Sequence, residues 1–283
     1  MRQHSTSRIK QFYRNFKIGT IRYHVSSFYL GYLLEIWNFL SKTLVANHEP
    51  ASKFVIFTSG RSGSTLLVDL INSNPAIQCD GELLKRRVAF PYPLVRRFER
   101  SSKKEIYGFK LLSYQLLNVQ TGIKHKPSLL DTLVHKENYK LIYLDRENKA
   151  KQALSIIYGF YRGKWHNEAG RDSSSVPPFE LDPAVFLKFL TELDILERFE
   201  KSIIATYPHL YLSYEKDLRD DISREATMRK VYEFLQVPYV ATSTQLQKVT
   251  PSELSSMISN KAAVIEALKG TSYAHYIPSL ERM

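Results

Sequence analysis

The sequence predicts an α/β fold in which a parallel sheet is flanked by helices. Three observations support this prediction: short β-rich runs alternate with helical stretches, the first run ends in a glycine-rich turn, and a helical pattern starts directly after that turn. Strands separated by helices are joined by crossover connections, which make neighbouring strands parallel. The chain has no internal repeat and no low-complexity tract, so one catalytic-size domain with an appendage is expected.

Each predicted element follows from a local pattern. Short apolar and β-branched runs predict the strands, which cover residues 53–58, 106–110, 140–144 and 210–214. Apolar residues at helical spacing predict the helices, which cover residues 64–72, 147–162, 183–205 and 223–235. A further strand is expected after the first helix, ending in the stretch Cys79–Leu83.

Residues 1–50 are interpreted as an N-terminal appendage, and residues 51–283 as the main domain. The appendage has apolar residues at helical spacing, but its longest charge-free stretch, Tyr23–Leu34, is too short to span a bilayer. Two interpretations stay open: a helix packed on the domain, or a basic amphipathic segment (residues 1–46) lying on an anionic membrane. The segment also lacks the small-residue cleavage site of a signal peptide, and a signal anchor is a third, minor alternative. We expect a cytoplasmic protein, or one peripheral to the membrane.

The positive charge is concentrated in two places. The chain has 283 residues with 40 Lys+Arg and 28 Asp+Glu, a net charge of +12. Residues 1–34 contribute +6 and Lys85–Lys104 contribute +7, which leaves 12 − 6 − 7 = −1 for the rest. A hydrophobic content of 43% and a charged content of 24% argue against a disordered, collagenous or multi-span membrane protein. The single cysteine, Cys79, excludes a disulfide scaffold and a cysteine-based structural zinc site, and no other metal-ligand spacing is seen.

The turn after the first strand has the composition of an anion cradle. Glycines let backbone N–H groups turn inward, the following helix presents its positive end, and Arg61 adds a forked cation. The turn is P-loop-like, but it does not match the G-x-x-x-x-G-K-[ST] pattern of kinases and ATPases. Ser64 stands where that pattern has its Lys, and Thr58 where it has its first Gly.

The run Ser59–Leu67 (SGRSGSTLL) resembles the 5′-phosphosulfate loop of sulfotransferases that use 3′-phosphoadenosine-5′-phosphosulfate (PAPS). It is most similar to the bacterial carbohydrate and glycolipid branch, which includes nodulation-factor and trehalose sulfotransferases. The resemblance implies the sulfotransferase fold, PAPS as co-substrate and no obligatory metal. It also implies that a contiguous set of residues binds the 5′-phosphosulfate: Arg61, Ser62, Gly63, Ser64, Thr65 and Leu66.

A second cluster supports the resemblance. A predicted strand ends at Arg146, and Ser155 follows nine residues later on a predicted helix. In the family an Arg and a Ser at such positions bind the 3′-phosphate, and a guanidinium with a hydroxyl suits a dianion. The segment Leu268–Tyr273 resembles the C-terminal segment that closes over the cofactor, which implies cofactor contacts for Lys269 and Gly270.

The resemblance also implies catalytic roles. Glu82 matches the general base of the carbohydrate branch, with Asp80 as a competitor that could instead cap a helix. Arg61 is the candidate for the bridging oxygen of the donor. Lys110, at the end of the strand Tyr107–Lys110, is the candidate for neutralising the sulfuryl oxygens, or else a surface lysine at a strand end.

The basic run Lys85–Lys104 follows Glu82 directly and is interleaved with aromatic residues. It is either a solvated basic surface or an acceptor site for an anionic or sugar-rich molecule. Nucleic acid ranks lower, because no nucleic-acid motif accompanies the run.

We therefore predict an enzyme that transfers a sulfuryl group from PAPS to a hydroxyl of a carbohydrate or glycolipid. The alternatives are a P-loop nucleotide or metabolite kinase and a non-catalytic protein that binds polyanions or membrane surfaces. Neither the identity of the acceptor nor the oligomeric state follows from the sequence.

Overall fold

A computed structural model describes residues 48–120, 127–163, 167–168, 177–247, 250–251 and 253–283. Five parallel strands form one sheet: β1 (Ser52–Thr58), β2 (Ile77–Glu82), β3 (Ile106–Leu112), β4 (Tyr139–Asp145) and β6 (His209–Ser213). Their order in the sheet is β2-β3-β1-β4-β6, and the helices between them confirm the predicted α/β fold class. A separate antiparallel pair consists of β5 (Asn167–Glu168) and β7 (Leu246–Gln247).

The helices lie between and after these strands. They are α1 (Ser64–Ile71), α2 (Pro91–Ser101), α3 (Pro127–Asp131), α4 (Lys149–Arg162), α5 (Pro183–Ile204), α6 (Asp221–Leu235), α7 (Lys261–Leu268) and α8 (Ile277–Glu281). Single π-helical turns occupy Gln115–Val119, Thr132–Lys136 and Tyr214–Leu218, and a short 3₁₀ turn occupies Ala274–Tyr276. The four predicted strands and the four predicted helices are confirmed, with ends that differ by at most two residues.

The chain divides into two compact units. Among the described residues, the sheet unit comprises residues 48–145 and 199–244, and the helical unit comprises residues 146–198 and 245–283. The N-terminal appendage predicted for residues 1–50 lies outside the described residues, apart from His48–Pro50. Within the described part of the chain, no helix combines the length and the apolar character needed to cross a membrane.

The sheet unit has a hydrophobic core on each face of its sheet. Alternate residues of β1 supply the two cores: Phe54 and Ile56 pack on one face, and Val55 and Phe57 on the other. All four are fully buried, which explains why β1 reads as a continuous apolar run rather than an alternating one. Packing on both faces of the sheet therefore holds the strands, and with them their carboxyl ends, in place.

The helical unit has its own core around α4, α5 and α7. Phe186, Leu190 and Leu268 are among its fully buried residues. Asn260 ties a loop to this core, because its amide donates to the Leu181 carbonyl and its carbonyl accepts from the Leu181 N–H, at 2.8 and 3.0 Å.

Gly108 lies where β3 passes the ring of Phe54 on β1. A Cβ atom at residue 108 would be 2.2 Å from Cζ of Phe54. Phe54 is the residue of β1 that pairs with Gly108 in the sheet. We expect Gly108→Ala to lower the free energy of unfolding by about 1–3 kcal/mol, because the ring must leave its packed position. Urea unfolding measures this loss. Gly81→Ala is the control, since a Cβ there meets nothing within 4 Å, and equal losses for both would contradict the prediction.

Candidate functional site

The candidate site lies at the carboxyl edge of the sheet, where β1 and β4 are neighbours. The connection after β1 leads through α1 toward β2 at one edge, whereas the connection after β4 leads toward β6 at the other. Such a divergence leaves a crevice at the strand ends, which is the usual ligand position in open α/β sheets. The Thr58 hydroxyl lies at this point and donates to the Leu144 carbonyl at 2.6 Å.

The loop after β1 is held in shape by its own hydroxyl groups. The Ser62 hydroxyl lies 2.6 Å from the Thr58 hydroxyl and donates to the Ser59 carbonyl at 2.9 Å. Both Thr58 and Ser62 are fully buried. The Ser62 hydroxyl therefore helps to fix the backbone of the loop, and the predicted contact of Ser62 with the 5′-phosphosulfate stays a prediction.

Two loop residues adopt left-handed backbone conformations. Arg61 has φ 63°, which is uncommon for a residue with a side chain, and Gly63 has φ 87°. A Cβ atom on Gly63 would lie 2.5 Å from the ring of Tyr214, so the loop passes this ring too closely for any other residue. The glycine at this position is thus required by both conformation and space.

Gly63 is also the N-cap of α1. Because this N-cap residue is a glycine, it has no side chain to cap the N–H groups of the first turn, and no side-chain cap is seen within the part of the chain that the structure describes. The first helical hydrogen bond runs from the Leu67 N–H to the Gly63 carbonyl at 3.1 Å. The positive end of α1 therefore faces the loop with donors suited to an anion.

A chain of polar contacts connects this helix with two predicted catalytic residues. Lys110 on β3 is buried, and its ammonium group donates to the Thr65 hydroxyl at 3.3 Å. The same ammonium lies 3.1 Å from Oε1 of Glu82, at the end of β2. The structure thus brings together Thr65, Lys110 and Glu82 from three separate elements.

Two neighbours of Glu82, Tyr114 and Gln115, were not predicted from the sequence. Gln115 is fully buried, and its amide donates to Oε2 of Glu82 at 3.1 Å, while its carbonyl accepts from the Leu112 N–H at 3.1 Å. Burial, followed by the charge and a hydrogen bond of Glu82, raises the pKa of Tyr114 to about 12. The available signal was the polar triplet Ser113–Gln115 directly after an apolar strand, at the edge where parallel strands end.

Asp80 does not cap a helix, which corrects one interpretation of the sequence. It lies within β2, where Oδ2 accepts from the Tyr107 hydroxyl at 2.9 Å and Oδ1 accepts from the Gln78 amide at 3.2 Å. Burial and the Asp80 carboxylate raise the pKa of Tyr107 far above its ordinary value, so the tyrosine keeps its proton and remains the donor. Asp80 is therefore occupied in a strand-to-strand contact.

The remaining predicted cofactor residues lie in the helical unit. Arg146 is 8% exposed and precedes α4, and Ser155 on α4 shares a 2.9 Å hydrogen bond with Thr250. Lys269 pairs with Glu266 at 2.7 Å after the end of α7, and Gly270 has φ 73°. The predicted contacts of these four residues with a nucleotide stay a prediction.

The basic run Lys85–Lys104 contains helix α2. One of its arginines, Arg96, faces inward and lies 2.5 Å from the fully buried Glu99 and 3.5 Å from Glu137. Lys53 on β1 joins the same network, at 3.6 Å from Glu99 and 3.3 Å from Glu137. Arg96 is thus neutralised within the protein, by Glu99 on the same helix and by Glu137, which is distant in sequence.

Within the described ranges, no group of three or more His, Cys, Asp or Glu side chains is arranged to hold a metal ion. No family model matches the chain, and no curated protein matches it. Among solved structures, the chain is similar to mouse sulfotransferase SULT7A1 complexed with PAP, at 12% sequence identity and a TM-score of 0.39. The match covers 84% of this chain and 94% of that one. A likeness this weak carries no argument, so the function is inferred from the residues of this chain.

Proposed function

We propose that the protein transfers a sulfuryl group from PAPS to a hydroxyl of a carbohydrate or glycolipid acceptor. The observation that carries this proposal is the contact chain from Thr65 through Lys110 to Glu82. It connects an anion-binding loop, a buried cation and a carboxylate. These are the three groups that sulfuryl transfer to a hydroxyl requires: a cradle for the donor, charge neutralisation and a base.

The loop fits the 5′-phosphosulfate end of the donor. The uncapped first turn of α1 offers backbone N–H groups, and Thr65 adds a hydroxyl at the same end. Arg61 supplies a permanent cation within the loop. Arg146 and Ser155 are proposed to bind the 3′-phosphate, and Lys269 and Gly270 to contact the same nucleotide, on the strength of the sequence resemblance alone.

The residues of the chain suggest how transfer would proceed. Glu82 accepts the proton of the acceptor hydroxyl as its oxygen attacks sulfur. The new oxygen–sulfur bond forms while the bond from sulfur to the 5′-phosphate oxygen breaks, and adenosine 3′,5′-diphosphate leaves. Lys110 and Arg61 offset the negative charge that develops on the sulfuryl and leaving oxygens.

The position of Lys110 explains why both its neighbours matter. Its side chain is 8% exposed, so the ammonium needs partners, and Glu82 and Thr65 supply them. The Glu82 side chain is 29% exposed, so part of this side chain is in contact with solvent. The pair therefore combines a buried cation with a partly exposed carboxylic side chain.

Gln115 is expected to position the base. Gln115→Leu removes the donor to Oε2 of Glu82 while keeping a side chain of similar volume, and we expect kcat to fall about tenfold with a smaller change in the KM for PAPS. Gln120→Leu is the control: it removes another buried glutamine amide, one that bonds the Leu84 and Arg86 carbonyls. Equal effects of both variants on kcat would contradict the role of Gln115.

A labelling experiment tests the proposed function. The full-length protein is incubated with PAPS labelled in its sulfuryl group, or with ATP labelled at the γ-phosphate, and with fractionated lipids and polysaccharides. Label that moves from PAPS to an acceptor supports the proposal. Label that moves only from ATP indicates a kinase. Stoichiometric binding of adenosine 3′,5′-diphosphate that Arg146→Ala abolishes counts against a protein that merely binds polyanions.

A further inference from the structure

Helix α2, which follows the proposed base along the chain, has two faces of opposite character. Its inner face buries Val95 and Glu99 against the sheet unit, and Glu99 accepts from the Tyr139 hydroxyl at 2.7 Å as well as pairing with Arg96. Its outer face exposes large apolar side chains: Phe90, at the N-cap, is 57% exposed, and Phe98 is 37% exposed. Few large hydrophobic residues of the described chain are this exposed, and two of them lie here.

The outer face is ordered along the helix. Phe90, Leu94 and Phe98 follow one another at intervals of four residues, so at about 100° per residue they form one continuous stripe. Arg97 and Arg100 lie along one side of this stripe by the same spacing, within about 80° of Phe90. Leu94 is half-buried and fixes the stripe to the core below it.

The outer face is also strongly basic. The only acid between residues 85 and 104 is Glu99, which is buried. Besides Arg96, the segment contains seven basic residues: Lys85, Arg86, Arg87, Arg97, Arg100, Lys103 and Lys104. Two exposed acids border it, Glu49 beside Arg96 and Glu105 at its end, and they leave a clear excess of positive charge.

We propose that this outer α2 surface, formed by Phe90, Arg97, Phe98, Arg100, Lys103 and Lys104, docks on an anionic lipid bilayer. Aromatic side chains enter the boundary between headgroups and acyl chains, while Lys and Arg pair with lipid phosphates. A neutral soluble glycan is disfavoured, because it offers no negative charge to the cations of this surface.

Docking at this surface would define the acceptor more closely, a consequence that rests on the proposed function. Glu82 precedes the basic segment by three residues, so the base belongs to the same stretch of chain as the docking surface. An acceptor hydroxyl would then be presented from a membrane-borne molecule, namely a glycan attached to lipid. Bilayer binding itself is measured without any transfer reaction, so it can fail or succeed independently of the enzyme activity.

Vesicle co-sedimentation of the full-length protein tests the docking surface. The vesicles contain phosphatidylcholine alone or phosphatidylcholine with phosphatidylglycerol, and a soluble polyuronate serves as a competitor. We expect binding to the anionic vesicles only. The double variant Arg97→Ser/Arg100→Ser should weaken it roughly tenfold to thirtyfold, at about fivefold per cation, and Phe98→Ser should weaken it several-fold.

Matched controls keep this test specific. Lys216→Ser/Arg219→Ser removes two exposed cations from another surface, and Ile222→Ser removes a side chain that is 84% exposed there. Neither control should change vesicle binding, and circular dichroism checks that every variant is folded. Unchanged binding by the α2 variants overturns the proposal. It is also overturned if the unaltered protein does not bind the anionic vesicles, whether or not it binds the polyuronate.

Discussion

Replacing Glu82 by Gln is expected to lower kcat for sulfuryl transfer about 10²–10⁴-fold, the contribution typical of a positioned general base. The amide keeps the shape of the side chain but cannot take the proton of the acceptor. It also leaves the ammonium of Lys110 without the carboxylate that lies 3.1 Å away, so the unfolding free energy should fall by about 1–3 kcal/mol. Steady-state kinetics at saturating PAPS and urea unfolding measure the two effects separately.

The matched control for this variant is Asp80→Asn. Asp80 lies on the same strand, but its contacts are with Tyr107 and Gln78, and it does not pair with Lys110 in the structure. We expect Asp80→Asn to retain transfer activity even if stability declines. Full turnover by Glu82→Gln, or a larger loss of kcat with Asp80→Asn, would show that Glu82 is not the general base. Another residue would then have to accept the proton of the acceptor hydroxyl.

Replacing Gly63 by Ala should damage the loop more than any other single methyl group. The left-handed conformation at φ 87° costs a residue with a Cβ atom about 1–2 kcal/mol. The new methyl would also lie 2.5 Å from Cδ2 of Tyr214, so the loop or the ring must move. We expect the affinity for adenosine 3′,5′-diphosphate to fall about tenfold or more, because each 1.4 kcal/mol of lost binding free energy lowers the affinity tenfold. Isothermal titration calorimetry measures this change.

Two companion variants separate the causes of that loss. A Cβ on Gly60 meets nothing within 4 Å, so Gly60→Ala should bind the nucleotide nearly normally. Combining Gly63→Ala with Tyr214→Ala removes the collision but keeps the conformational strain, and we expect it to restore part of the affinity. Equal binding by Gly60→Ala and Gly63→Ala would show that the loop geometry does not matter for the nucleotide.

The sequence predicted most of the fold because the sheet is buried on both faces. Strands such as β1 and β4 must then be continuous apolar runs, and these are easily read between helical patterns. The meeting of Glu82 with Lys110 could also be anticipated, since the ends of parallel strands share one edge of the sheet. In the structure, Glu82 and Lys110 are Cα partners across β2 and β3.

Other features depend on contacts that no local pattern encodes. Gln115 reaches Glu82 because a π-helical turn follows β3, and a polar residue after a strand does not by itself reveal such a turn. Arg96 looked like one cation among eight, and although Glu99 lies three residues along the same helix, its other partners Glu49 and Glu137 are 47 and 41 residues away in sequence. Pairings over such distances are created by tertiary packing, so neither could be derived before the fold was known.

The buried network of Lys53, Arg96, Glu99 and Glu137 determines how α2 responds to ionic strength. Its charges cancel within the protein, and Glu99 is fully shielded from solvent, so added salt screens them little. The cations on the outside of the same helix lie in water, where the screening length falls to about 8 Å at physiological salt. A rise in salt concentration would therefore release an anionic partner from the outer cations while α2 stays packed on the sheet. Release of the partner and unfolding of the helix are thus separate events.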